Sequence, residues 1–166
     1  MTTPAHDPYL PERRFMLAAI AQAEQALPRA EGGPFGACIV RGDTIVAVAN
    51  NTVLRDHDAT CHAEVNAIHL ASRALGNFDL SGCTIYSTTE PCPMCFSAIH
   101  WARIDRIVYG TGIADVQRLG FNELAISNEQ LRELGGSPIQ IVRDFMRAEC
   151  EALLACWQGL PGARLY

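Results

Sequence analysis

The order of the predicted strands and helices indicates an α/β fold. Short segments rich in β-branched residues have the composition of strands and occupy residues 38–40, 44–49, 83–88 and 104–109. Helical patterns at 62–75 and 91–103 separate the later strands, and this alternation is typical of parallel strands joined by crossover helices. The sequence therefore predicts an α/β sandwich with a hairpin, turning at 41–43, on one side and parallel strands beyond it.

Further elements extend this pattern towards both ends of the chain. Met16, Ile20 and Leu27 share one face of a helix that begins near Pro11, and Pro28 ends it. Short helical pieces are predicted at 114–119 and 128–134, a last strand at 139–142 and a last helix at 144–158. Residues 1–10 are expected to form a loose arm and 159–166 a tail. Since no repeat or interdomain linker is visible, residues 1–166 are predicted to form one domain.

Composition limits the classes of partner. The 166 residues carry a formal net charge of -5, and no run of Lys or Arg stands out. Because phosphate-backbone binding needs concentrated positive charge, a nucleic-acid partner is not expected. No apolar run approaches the roughly 20 residues of a membrane span, so a membrane partner is not expected either.

Seven cysteines, an odd number, argue against a disulfide framework. The first residues are polar and lack the apolar region of a secretion signal. We therefore expect a soluble, cytoplasmic protein whose thiols stay reduced.

The stretch from Cys61 to Cys95 carries the most recognisable chemistry. His62 offers an imidazole and Cys92 and Cys95 offer two thiols, which are ligands typical of zinc. Both predicted helices would place these ligands at their N-termini, where exposed N–H groups favour thiolates. Three protein ligands leave one zinc position open, as in catalytic sites. We predict one Zn²⁺ per subunit, with water or hydroxide as the fourth ligand.

Glu64 follows His62 by two residues, too close to serve comfortably as a second ligand but well placed to reach a zinc-bound water. Zinc lowers the pKa of such a water to roughly 7. Glu64 is predicted to take the water proton and to deliver it to a ring nitrogen and then to the leaving amine. The chemistry expected is hydrolytic deamination of a nucleobase-like ring.

Two other interpretations of the cysteine pair remain open. A thioredoxin-type redox pair would use the Cys-Pro-x-Cys spacing but would explain neither Pro91 nor the His62-x-Glu64 pattern. A structural zinc site would need a fourth ligand, for which the candidates are Cys38, Cys61 and Cys83.

The segments His62-Ala63-Glu64 and Pro91-Cys92-Pro93-Met94-Cys95 match the pattern H-x-E…P-C-x-x-C of zinc deaminases. From about residue 12 to its end the chain resembles the cytidine deaminase superfamily. This resemblance implies a three-layer α/β/α sandwich around a central mixed five-stranded sheet. It also implies a homodimer or a larger oligomer.

Within that superfamily the sequence is most similar to bacterial guanine deaminases. The similar segments are 32–37, 50–51, 62–65, 90–95, 98–102 and 120–123. The tRNA adenosine deaminases share the zinc motif but do not usually carry the equivalent of Trp101 or the segment at 120–123. Two departures from the guanine deaminase pattern are Asn122, where an aspartate is common, and the tail at 159–166.

The resemblance also implies substrate contacts, at Phe35, Asn50, Ala63, Trp101, Glu123 and Tyr166. Phe35 and Trp101 would flank the base as aromatic walls, and the Asn50 amide would hydrogen-bond the ring. The backbone N–H of Ala63 would contact the base or the water.

Glu123 would be a second acidic residue that faces the substrate and assists proton transfer. Guanine presents N–H and amine donors, for which a carboxylate is a suitable acceptor. Tyr166 corresponds to a C-terminal aromatic residue that, in some members, closes a neighbouring subunit's pocket by tail exchange.

The leading hypothesis is deamination of guanine to xanthine and ammonia, a reaction of purine catabolism. One alternative is a related small ring or nucleoside, such as cytosine, guanosine or an aminotriazine. Another is the adenosine of a tRNA, and a non-enzymatic zinc or redox module is the last.

Overall fold

The computed structural model describes residues 9–166, so most of the predicted N-terminal arm lies outside the described residues. The strands are β1 (Gly36–Arg41), β2 (Thr44–Asn50), β3 (Cys83–Thr89), β4 (Arg106–Thr111) and β5 (Gln140–Val142). The α-helices are α1 (Arg13–Ala26), α2 (Val53–Asp56), α3 (Ala63–Leu75), α4 (Pro93–Trp101), α5 (Ile113–Leu119), α6 (Asn128–Gly135) and α7 (Arg147–Gln158). The short helix α2 is not among the predicted elements. The predicted helices and strands are present.

The described residues form one mixed sheet with the strand order β2-β1-β3-β4-β5. β1 pairs antiparallel with β2 and with β3, while the β3–β4 and β4–β5 pairs are parallel. Gly42 turns the chain between β1 and β2 with a φ of 54°, a left-handed value that glycine adopts without steric cost. The hairpin, the parallel strands and the five-stranded mixed sheet are thus confirmed.

Helices cover both faces of the sheet and make three layers. On one face, Ile39 and Ile85 pack with apolar residues of α3 and α4, among them Ala67 and Ile99. On the other face, alternate strand residues such as Cys38, Val40, Tyr86 and Val108 pack against α1 and α7 through Phe15, Met16 and Cys150. None of the helices within residues 9–166 combines the length and apolarity needed to cross a membrane.

One edge of the sheet collects the chain segments that carry the predicted site. Gly36 at the start of β1 pairs with Asn50 at the end of β2, and Thr89 at the end of β3 pairs with Thr111. A Cβ at Gly36 would lie 2.0 Å from the Ala19 carbonyl oxygen, so a glycine lets α1 approach this edge. The loops that follow these strand ends therefore meet in one place, as is usual for sites in α/β proteins.

Candidate active site

Two helix N-termini bring the three predicted metal ligands together. His62 is the N-cap of α3 and Cys92 the N-cap of α4, with Cys95 in the first turn of α4. The His62 Nδ1 atom lies 3.7 Å from Cys92 Sγ and 3.5 Å from Cys95 Sγ. All three ligand atoms lie within 4.8 Å of one another.

This spacing fits a zinc ion. Bonds of about 2.0–2.1 Å to nitrogen and about 2.3 Å to sulfur, at tetrahedral angles, put the two donors about 3.5 Å apart. Within residues 9–166 the cluster contains three ligands, so Cys38, Cys61 and Cys83 do not complete a four-ligand structural site. His62, Cys92 and Cys95 could therefore hold zinc with one position free.

The pKa values of the two cysteine thiols are shifted in opposite directions. A hydrogen bond from Cys95, assisted by His62, lowers the pKa of Cys92 to about 4. The same hydrogen bond and burial raise the pKa of Cys95 well above its usual value. Cys92 is consequently a thiolate at neutral pH, the form that binds metals, and metal binding would release the proton of Cys95.

Glu64 lies beside the ligand cluster and is almost entirely buried. Its Oε1 accepts a hydrogen bond of 3.1 Å from Ser87 Oγ, and its Oε2 accepts one of 3.5 Å from Cys95 Sγ. Burial raises the pKa of Glu64 above that of an ordinary carboxyl. A carboxyl group whose proton affinity has been raised in this way is suited to carrying a proton. Ser87 is a partner of Glu64 that the sequence interpretation missed.

A cavity of about 270 Å³ opens directly onto His62 and Cys92. Its lining is largely apolar with a few polar groups, and consists of Phe35, Ala59, His62, Cys92, Pro93, Met94, Phe121, Asn122, Glu123, Leu124 and Tyr166. Phe35, Glu123 and Tyr166 are among the residues predicted to contact the substrate, and the structure brings all three together. Phe121 is an additional aromatic wall.

Aromatic packing closes one side of this cavity. The centroid of the Phe121 ring lies 5.2 Å from that of Phe35 and 5.4 Å from that of Tyr166, and both pairs pack edge-on. It lies 5.1 Å from the centroid of the Trp157 ring. The Tyr166 hydroxyl accepts a hydrogen bond of 3.1 Å from the Gly33 N–H. Tyr166 thus lines the cavity of its own chain, and exchange of the tail between subunits stays a prediction.

Glu123 is the second acidic group of the cavity. Burial, together with the negative charge of Cys92, raises its pKa to about 7. Near neutral pH its carboxyl group is therefore present both with and without a proton, and can both donate and accept a hydrogen bond. This behaviour is compatible with the predicted contact to a ring that offers N–H donors.

The structure does not bring Asn50 into the cavity, so the predicted ring contact of this residue needs correction. The Asn50 amide donates to Glu31 Oε2 at 3.0 Å and to the Asn51 carbonyl at 2.9 Å. Its Oδ1 accepts from Gln22 Nε2 at 3.0 Å. With these bonds made, Asn50 joins the end of β2 to α1 and to the loop before β1.

Asn51, which the sequence interpretation missed, has the free amide that Asn50 lacks. Its Oδ1 accepts from the Val53 N–H at 3.1 Å, whereas its buried Nδ2 has no hydrogen-bond partner within residues 9–166. The Tyr166 hydroxyl lies near this amide. Since a buried donor without a partner is costly, a bound molecule is a natural acceptor for it.

Trp101 also lies outside the cavity, so the structure does not place it beside Phe35 as the predicted second aromatic wall. It is the last residue of α4, whereas Cys92 is the N-cap of that helix, and 79% of its surface is exposed. Phe121 supplies an aromatic wall in its place. Ala63 begins α3 and is fully buried; the contact of its N–H with substrate stays a prediction.

Three metal ligands, a buried carboxyl group and a neighbouring cavity at the edge of an α/β sheet define a metal-dependent hydrolytic enzyme. A family model described as the cytidine and deoxycytidylate deaminase zinc-binding region matches residues 11–111. The chain belongs to this family. Membership supports a zinc-dependent hydrolase that deaminates its substrate, and argues against the redox and structural-zinc interpretations.

Similar proteins include deaminases of two substrate types. Guanine deaminase of Bacillus subtilis (strain 168) is 40% identical over 115 residues, covering 69% of this chain and 74% of the relative. A tRNA-specific adenosine deaminase of the same organism is 38% identical over 143 residues, covering 86% of each chain. The solved guanine deaminase of Nitrosomonas europaea is 26% identical with a TM-score of 0.81, over 92% of this chain and 88% of that one. These likenesses agree on deamination and on the fold, and leave the ring to be decided.

Proposed function

We propose that the protein deaminates free guanine, giving xanthine and ammonia. The observation that carries this proposal is a small cavity, next to the metal ligands, that is lined by Glu123 and Tyr166. Similarity to guanine deaminases supports the same substrate. Glu64 and Glu123 are the two acidic groups assigned to the reaction.

The size and lining of the cavity favour a free base. Its volume of about 270 Å³ lies just below the usual range of roughly 300–1,000 Å³ for ligand pockets. The aromatic rings of Phe35, Phe121 and Tyr166 provide apolar contact for a flat ring. A purine ring without its sugar matches this space better than the larger nucleoside does.

The polar groups complement guanine in particular. Guanine presents N–H and amine donors along one edge and a carbonyl acceptor beside them, and Glu123 provides an acceptor for the donors. The unpartnered Nδ2 of Asn51 provides a donor for the carbonyl or a ring nitrogen. A site built to pair with both kinds of group would disfavour a base with the reverse pattern.

Glu64 performs the proton transfers in this proposal. Zinc, when bound, supplies Lewis acidity, which lets water lose a proton near neutral pH. Glu64 accepts the proton of the attacking water as the oxygen bonds to the ring carbon that carries the amine. It delivers that proton to the adjacent ring nitrogen, then takes the proton of the newly added hydroxyl and delivers it to the amine, so that the C–N bond breaks, the carbonyl forms and ammonia leaves. Ser87 holds the carboxylate in place through its bond to Oε1.

Deamination of tRNA adenosine is the second candidate, because a tRNA-specific adenosine deaminase matches 86% of this chain at 38% identity. That substrate requires an open approach for an RNA loop and positive charge for its phosphates. The described residues that line the cavity include no Arg, and the cavity volume is only about 270 Å³. These features favour the free base.

Turnover of free guanine tests the proposal directly. The zinc-loaded protein is incubated in parallel with guanine, cytosine, adenine, guanosine and an anticodon stem-loop RNA, and ammonia release is measured together with xanthine or inosine. Xanthine formation from guanine at the highest kcat/KM of the panel is expected. Inosine formation in the RNA with no xanthine from guanine would refute the proposal and favour the tRNA activity.

A further inference from the structure

Glu90 is a buried carboxylate that the chemistry above does not use. It follows β3, precedes Pro91 and the ligand Cys92, and is only 8% exposed. Its Oε2 accepts a hydrogen bond of 3.2 Å from the Ile113 N–H, and its Oε1 accepts one of 2.8 Å from the Asn128 N–H. The two oxygens thus bind two backbone positions that are fifteen residues apart.

Those two positions delimit the segment that forms the substrate side of the cavity. Ile113 is the first residue of α5 and Asn128 the first residue of α6. Phe121, Asn122 and Glu123 line the cavity and lie between them. A single carboxylate therefore fixes both ends of the 113–128 segment to the loop that carries Cys92.

The Asn128 side chain adds a further hydrogen bond to this connection. Its side chain is fully buried, and its Nδ2 donates a hydrogen bond of 2.6 Å to the carbonyl of Pro91, the residue immediately before Cys92. Three hydrogen bonds, two accepted by the Glu90 carboxylate and one by the Pro91 carbonyl, therefore connect the metal-binding loop to the segment that carries Glu123.

We propose that Glu90 is a positioning residue for substrate binding. By holding Ile113 and Asn128, it sets where Glu123 stands relative to the metal ligands, and it contacts neither substrate nor metal itself. Hydrogen bonds to a buried carboxylate hold the backbone firmly, and small misplacements of binding groups are costly to an enzyme. Loss of the Glu90 carboxylate should therefore displace Glu123 and weaken substrate binding. The catalytic consequence rests on the proposed deamination of guanine.

Glu90→Gln tests this role with little change in side-chain size. The amide keeps one acceptor oxygen but turns an NH₂ group towards the second backbone N–H. We expect KM for guanine to rise about tenfold while kcat per bound zinc changes much less, because uniform binding is what is lost. Glu133→Gln, on the exposed face of α6, is the matched control and should behave like the wild type.

A purely structural role would lower the folded or zinc-loaded fraction and leave KM unchanged, so zinc content and KM are measured on the same samples. Hydrogen exchange provides a readout without turnover: the Ile113 or Asn128 amide should exchange faster in Glu90→Gln, and amides of β1 should not. If Glu90→Gln does not fold, Asn128→Ala, which removes the bond to Pro91, should raise KM in the same direction.

An unchanged KM for guanine together with unchanged hydrogen exchange over 113–128 would overturn the proposal. Loss of zinc from Glu90→Gln would overturn it as well, because Glu90 would then support the metal-binding loop alone. Failure of the wild type to use guanine would refute the proposed function instead. Exchange at Ile113 and Asn128, and KM for whichever ring of the panel is turned over, would then still decide the role of Glu90.

Discussion

Asn50 and Asn51 are neighbours in the chain but serve different parts of the molecule. The Asn50 amide is fully hydrogen-bonded to Glu31, Gln22 and the Asn51 carbonyl. The Asn51 Nδ2 is buried near the Tyr166 hydroxyl, without a hydrogen-bond partner within residues 9–166. One asparagine therefore stabilises the fold, and the other is available to a ligand.

Replacing each asparagine by aspartate should separate these roles. Asn51→Asp keeps the acceptor for the Val53 N–H but removes the free donor, and we expect kcat/KM for guanine to fall by about tenfold or more. Asn50→Asp places a carboxylate against Glu31 and should lower the melting temperature with little effect on KM. Steady-state kinetics and thermal melts of both variants check this. The reverse outcome would restore Asn50 as the substrate contact.

Glu64→Gln should abolish most of the activity and leave the metal site intact. Glutamine can still accept the hydrogen bond from Ser87 but cannot carry the proton, so kcat should fall by about 10²- to 10⁴-fold. Elemental analysis should find as much zinc as in the wild type. Loss of zinc together with activity would indicate that Glu64 supports the ligands and not the chemistry.

Metal removal should destabilise the protein through the same three ligands. Zinc that binds only the folded state stabilises it by about 2.7 kcal/mol when its free concentration is 100 times the Kd. A chelator should therefore lower the melting temperature of the wild type, and Cys92→Ser should abolish this effect. Cys156→Ser, at an exposed position, is the control and should keep both zinc and activity. An unaltered response in Cys92→Ser would contradict the assigned ligand set.

Glu31 should make a small contribution to acid sensitivity. A hydrogen bond from Arg29 lowers the pKa of Glu31 below its ordinary value of 4.5. The stabilisation is therefore complete above pH 4.5 and is lost as the pH falls through the lowered folded-state pKa. Since Arg29 and Arg55 are each about half exposed, its size should stay below about 1 kcal/mol.

Urea unfolding of wild type and Glu31→Gln at neutral pH and at pH values below 4.5 measures this contribution. The difference in the free energy of unfolding between the two proteins should shrink on acidification. Glu24→Gln, an exposed position on α1, should show no such change. A difference that grows at low pH would have the wrong sign for a lowered pKa.

The metal site could be predicted from the sequence because its ligands are close in the chain and lie at helix starts. Cys92 and Cys95 are three residues apart, and His62 begins the other helix, so their meeting follows from the fold class. The hairpin and the parallel strands beyond it were likewise predictable from the alternation of strands and helices. Both predictions rest on the spacing of residues that are close together in the sequence.

The ring contacts were harder to predict because they depend on side-chain direction. Adjacent residues of extended chain point in opposite directions, so an error of one position exchanges Asn50 for Asn51. Trp101 lies at the opposite end of α4 from the ligands, and this separation along the helix is visible in the sequence. The role of Glu90 was not visible because its partners are backbone N–H groups of Ile113 and Asn128.

The contrasting surroundings of the two tryptophans have a spectroscopic consequence. Trp101 is 79% exposed, whereas Trp157 is 5% exposed and packs on Phe121, a wall of the cavity. A Trp101→Phe variant would leave one emitting indole, coupled by contact to the substrate side of the site. Its fluorescence would report occupancy of the cavity under conditions in which no turnover takes place.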